Sequence, residues 1–88
     1  MDLDNLIVMA NKIGQFFAAQ PDRDEALAGI ADHVKKFWEP RMRDEILAAV
    51  GTEAGAGLSE IVAAALVRHR AMLQPSLATL NAGRAPRA

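Results

Sequence analysis

The sequence predicts an all-α fold, a small bundle of three to four helices, and three observations carry that prediction. Apolar side chains recur at three- and four-residue steps along most of the 88 residues. No stretch alternates apolar and polar residues at period two over a useful length, and β-branched residues are few. Proline and glycine fall between the periodic stretches, where they end or open helices. Residues 1–80 are expected to form one helical domain. Residues 81–88, Asn-Ala-Gly-Arg-Ala-Pro-Arg-Ala, have little to bury and read as a mobile tail.

The first helix is written by Leu6, Met9, Ala10, Ile13, Phe16 and Phe17, with Asn5, Lys12 and Gln15 on the other side. Gln20-Pro21 ends it, because the residue before a proline is pushed out of helical angles. Asp22 then stands where an N-cap belongs, and Glu25 three places on completes a capping box. The second stripe is Leu27, Ile30, Ala31, Val34 and Phe37, broken by Glu39-Pro40. Proline suits a first helical turn, so a short third helix is expected from Pro40 to about Val50, stopped by Gly51. Three glycines in the seven residues Gly51–Gly57 read as a flexible loop. A fourth helix is expected from Leu58 or Ser59 to Met72 or Leu73, ahead of Pro75.

Composition narrows the function. Of 45 apolar residues 18 are alanine, which leaves 27 large enough to fill a core and hence one small domain. The absence of cysteine excludes a disulfide framework, thiolate metal sites and a thiol nucleophile, and points to a cytoplasmic protein. The longest apolar run, the seven residues Ile61–Val67, is far short of the roughly 20 that a membrane span needs. Asp2 and Asp4, with no basic residue before Lys12, are unlike a secretory signal. A net charge of −1 gives no general attraction to nucleic acid or to an anionic membrane.

Residues suited to catalysis are scarce. The two serines at 59 and 76 have capping or turn explanations, and His33 and His69 have basic neighbours rather than an orienting carboxylate. Their ordinary reading is as surface or interface histidines. Gly55-Ala-Gly57 lacks the lysine and the preceding strand of a phosphate loop. The chain reads as no enzyme in its own right.

The segment Phe37-Trp-Glu-Pro-Arg-Met-Arg43 is the most informative one. It gathers the single tryptophan, a proline corner, a methionine and two arginines, side-chain types enriched at the centres of protein interfaces. Burial in the chain's own core is the competing expectation for Phe37 and Trp38. Arg41 and Arg43 fall in the first turn of a helix, where the macrodipole disfavours cations. Either a carboxylate on another chain meets them, or Glu39, Asp44 or Glu45 neutralises them locally. Ile61–Val67 is apolar all round, which suggests contact on several sides through self-association or docking, or else simply the helix preference of alanine.

Met9-Ala-Asn-Lys-Ile-Gly-Gln-Phe-Phe17, Ile30-Ala-Asp-His33 and Phe37-Trp-Glu-Pro-Arg-Met-Arg43 together resemble the delta subunit of NAD-dependent, molybdenum-containing formate dehydrogenases. The similarity runs from about Leu6 to Val50, with a looser echo to Leu66. It implies a non-catalytic accessory subunit of a cytoplasmic complex that oxidises formate to carbon dioxide and reduces NAD. The molybdopterin cofactor, flavin and iron–sulfur clusters would reside on the alpha, beta and gamma subunits, with no cofactor bound by this chain. The chain would bind the catalytic alpha subunit and support its assembly, stability or cofactor insertion, with self-association possible when isolated. The interface candidates are then Phe16, Phe17, His33, Trp38, Pro40, Arg41, Met42 and Arg43, centred on the corner between the second and third helices. The alternative is a free-standing helical dimer, a regulatory or DNA-binding module, with Lys35, Lys36, Arg41 and Arg43 on phosphates. Near-neutral charge and the proline corner speak against it.

Overall fold

A computed structural model of the chain describes residues 2–75; the expected tail at 81–88 and the end of the expected domain lie outside them. The described residues form an all-α fold. Helices α1 (Leu3–Phe17) and α2 (Arg23–Phe37) are joined by a short turn, and α3 (Pro40–Ala49) follows the proline corner. A 3-10 turn at Glu53–Gly55 leads to α4 (Glu60–Arg68) and the single-turn α5 (Arg70–Leu73).

Local chemistry explains the helix boundaries. Asp22 caps α2 by accepting from the Glu25 N–H at 3.2 Å. Pro40 occupies the first turn of α3, where its missing N–H costs nothing. Gly51 follows the end of α3 at φ +83°, a left-handed conformation that L side chains rarely adopt.

Two expectations are corrected. The glycine-rich stretch closes into the 3-10 turn, pinned by Thr52 Oγ1 on the Ala49 carbonyl at 2.7 Å, and Gly55 is buried. The fourth helix is not continuous: it breaks at His69, whose carbonyl accepts from both Met72 and Leu73 at 3.1 Å. With His69 out of helical angles between α4 and α5, Leu73 lies in the core and Arg70 reaches the end of α3.

The core joins all of the α-helices. Leu6, Ala31, Val34, Trp38, Ile46, Leu66 and Leu73 form its main cluster, and Leu27, Ile30 and Ala65 a smaller one between α2 and α4. Ion pairs from the first turn of α2 hold both ends of α4: Arg23 to Glu60 at 2.6 Å and Asp24 to Arg68 at 2.7 Å. Hydrogen bonding to Glu60, and then its charge, raises the Arg23 pKa above its ordinary value. The all-round apolar character of Ile61–Val67 is thus largely used inside the chain. Val62, Ala65 and Leu66 are buried against its other helices, and Val67 faces outward.

Candidate docking site

The α2–α3 corner is built inward. Trp38 is 5% exposed and packs in the main core cluster. Arg43, 7% exposed, turns its guanidinium onto backbone carbonyls. Its Nε donates to Leu73 O at 3.0 Å, and its Nη1 to Trp38 O at 3.1 Å and Lys35 O at 3.3 Å. Those oxygens belong to the C-terminal ends of α2 and α5, where carbonyls lack helical partners and the macrodipole is negative. The cation unfavourable at the start of its own helix is therefore stabilised by the ends of two others. Arg70 repeats the device, donating to Leu47 O in the last turn of α3 at 3.0 Å, so α3 and α5 are stapled in both directions.

This arrangement withdraws Trp38 and Arg43 from the surface of the expected docking corner. Arg43 and Trp38 are committed to the chain's own interior, because helix-end carbonyls and core space close around them. Neither of the partners considered for Arg43, a foreign carboxylate or Glu39, Asp44 and Glu45, is the one it uses. Met42 is half-buried against the core, Pro40 is half-buried at the helix start, and Arg41 is exposed. The DNA-binding alternative loses Arg43, one of its four phosphate-directed cations, to the same carbonyls.

A second region gathers residues that sequence reasoning had left scattered. Phe16, at the end of α1, is 74% exposed, and Phe37, at the end of α2, is 70% exposed. Burial was the expectation for Phe37; the core side of this stretch is taken by Val34 and Trp38 instead, and the Phe37 ring rests on His33 at 4.7 Å between centroids. Phe16 and Phe17 meet edge to face at 5.0 Å. The Phe17 ring lies so close over Gly29 that a Cβ there would strike it, so glycine is what lets the aromatic settle onto α2. Ile13, Phe16, Phe17 and His33 line an open groove of about 350 Å³. Phe16, Phe17 and His33 were among the predicted interface residues; Phe37 was in the motif but was not among them. Its cue was its four-residue step from His33, which puts the two rings on one side of α2.

The Met-Ala-Asn motif has a structural reading. Asn11 donates to Gly57 O at 2.9 Å and accepts from Ser59 N–H at 2.8 Å, tying α1 to the start of α4. Ser59 occupies the N-cap of α4 as its spacing suggested, but its hydroxyl makes no capping bond.

No helix among the described residues is long and apolar enough to cross a membrane. No three His, Asp or Glu side chains among the described residues converge as metal ligands would. No curated protein and no solved structure matches the chain. The family model described as "NADH-dependant formate dehydrogenase delta subunit FdsD" matches residues 5–66, a span that contains the inward corner and the aromatic face together. The chain therefore belongs to the family of delta subunits of NADH-dependent formate dehydrogenases.

Proposed function

We propose that this chain is a non-catalytic accessory subunit that docks on the catalytic alpha subunit of its formate dehydrogenase. Docking uses the aromatic face of α1 and α2 and supports assembly, stability or cofactor insertion. The observation that carries the reading is the exposure of Phe16, which lines the groove, and of Phe37, which rests on the groove's His33, in a chain with few large apolar residues to spare. Exposed aromatics grouped around a concave surface are typical anchors of protein interfaces. The inward corner supplies the rigidity that presents them.

The test is co-purification of a tagged Phe16→Ser, Phe37→Ser double variant with the other subunits of the complex. The expected result is a folded, helical chain that no longer retains the catalytic subunit, together with reduced formate-dependent NAD reduction in the remaining material. Undiminished co-purification of the folded variant would refute docking through this face. In this reading the chain works in the cytoplasm, holds no cofactor, and can self-associate when expressed alone. Stoichiometric molybdenum, iron or flavin in the isolated chain would contradict the cofactor assignment.

A further inference from the structure

Phe37 owes its placement to the backbone more than to its own ring. The residue is 70% exposed, and its ring rests on His33, a half-buried residue one turn back on the same helix. Its direction therefore depends on the order of the last turn of α2. Helix ends fray unless their free carbonyls find partners.

The α2 ladder ends with the Trp38 N–H on the Val34 carbonyl at 3.0 Å, because Trp38 turns to extended angles at φ −95° and ψ 138°. Two carbonyls past that point are served from outside the helix. Arg43 Nη1 donates to Lys35 O at 3.3 Å and to Trp38 O at 3.1 Å, on the two sides of Phe37 in the sequence. The guanidinium is itself held, since its Nε donates to Leu73 O at 3.0 Å and the residue is only 7% exposed. One buried planar group thus ties the stretch that carries Phe37 to α3 and α5.

We infer that Arg43 is a positioning residue for docking. By holding carbonyls on both sides of Phe37, it fixes the ring on the aromatic face before the partner arrives. This rests on the docking reading above and adds the residue that presents its anchor. An anchor already in order spares the partner the entropy of ordering it. Loosening the end of α2 should therefore weaken binding without removing any contact to the partner. Lysine at this position keeps the charge, but its one nitrogen cannot reproduce donors at both Nε and Nη1.

The experiment measures binding of the full chain to the remaining subunits of the complex, in a double-variant cycle of Arg43→Lys with Phe37→Ser. Arg70→Gln serves as control, because it loosens α5 from α3 through Leu47 O and leaves the α2 carbonyls alone. Amide exchange is followed alongside. Arg43→Lys is expected to bind about tenfold more weakly and to add little once Phe37 is replaced by serine. It is also expected to open the Phe37 and Trp38 amides to exchange while those of Ile30 and Ala31 stay protected, a selectivity that general destabilisation would not produce. Arg70→Gln should bind like the wild type. If Arg43→Lys leaves binding unchanged, weakens it by the same factor in both backgrounds, or is matched by Arg70→Gln, the positioning inference fails and docking stands. If Phe37→Ser alone leaves binding intact, the Phe37 anchor of the docking reading fails, and the inference with it. The wild-type chain supplies a test free of any folding defect. Its Phe37 and Trp38 amides are expected to be protected, and exchange there as fast as in an unfolded chain would overturn the inference.

Discussion

Phe37 and Trp38 are neighbours in sequence with opposite placements, one 70% and the other 5% exposed. They mark the difference between the two regions that contain the family's motif residues. The corner around Trp38 and Arg43 is an internal joint, where helix ends are gathered and their carbonyls satisfied. The face around Phe16, Phe17, His33 and Phe37 is an outward surface on which Phe17 is partly packed against α2, while Phe16 and Phe37 gain little from the chain's own fold. A motif rich in aromatic and arginine residues therefore has two kinds of cause, and residue type alone does not separate them.

Arg43→Glu should break the comparison most severely. It removes three hydrogen bonds and places a carboxylate against carbonyl oxygens, a loss on the order of 4 kcal/mol or more. A domain of this length has roughly 4–13 kcal/mol in total, so the variant is expected to unfold or nearly so, as read by circular dichroism and thermal melting. A variant that melts like the wild type would return Arg43 to the list of docking residues. Arg41→Glu, two positions away on the exposed side, serves as its control and should leave the melt almost unchanged.

Asn11→Ala tests the tether between α1 and α4. It loses both partners, Gly57 O and Ser59 N–H, at about 1–2 kcal/mol, with the chain still folded. Denaturant titration would register this as a lower midpoint at unchanged slope. The smallest effect on stability is expected for Phe37→Ser, within about 0.5 kcal/mol, because the ring is mostly in water. If that substitution cost as much as a core deletion, the aromatic face would be structural and the contrast between the regions would disappear.

Much of the fold was legible because its signals are local. The capping box at Asp22, the proline opening α3 and the glycine closing it each act within a few residues of where they are written. The apolar periods of α1 and α2 could be read for the same reason. The family was legible through Met9–Phe17 and Phe37–Arg43, whose separation is distinctive even though their physical roles were not. The roles were hidden because they depend on distant backbone. The Arg43 contacts lie 5, 8 and 30 residues away, and a carbonyl oxygen looks the same at every position of a sequence. The break at His69 was equally silent, since it follows from Leu73 and Arg70 reaching parts of the core and of α3 that are remote in the chain.

By itself the sequence determined the helical class, most of the helix boundaries and the family, all of which depend on local propensity or on the order of residues. Tertiary structure alone decided which half of Phe37-Trp38 is core, that Arg43 binds helix ends rather than a partner, and that Phe16, Phe17, His33 and Phe37 share one surface. The physical reason is that burial and the pairing of helix-end carbonyls do not exist until the helices pack. A side chain's role as anchor or staple is settled by what that packing places beside it.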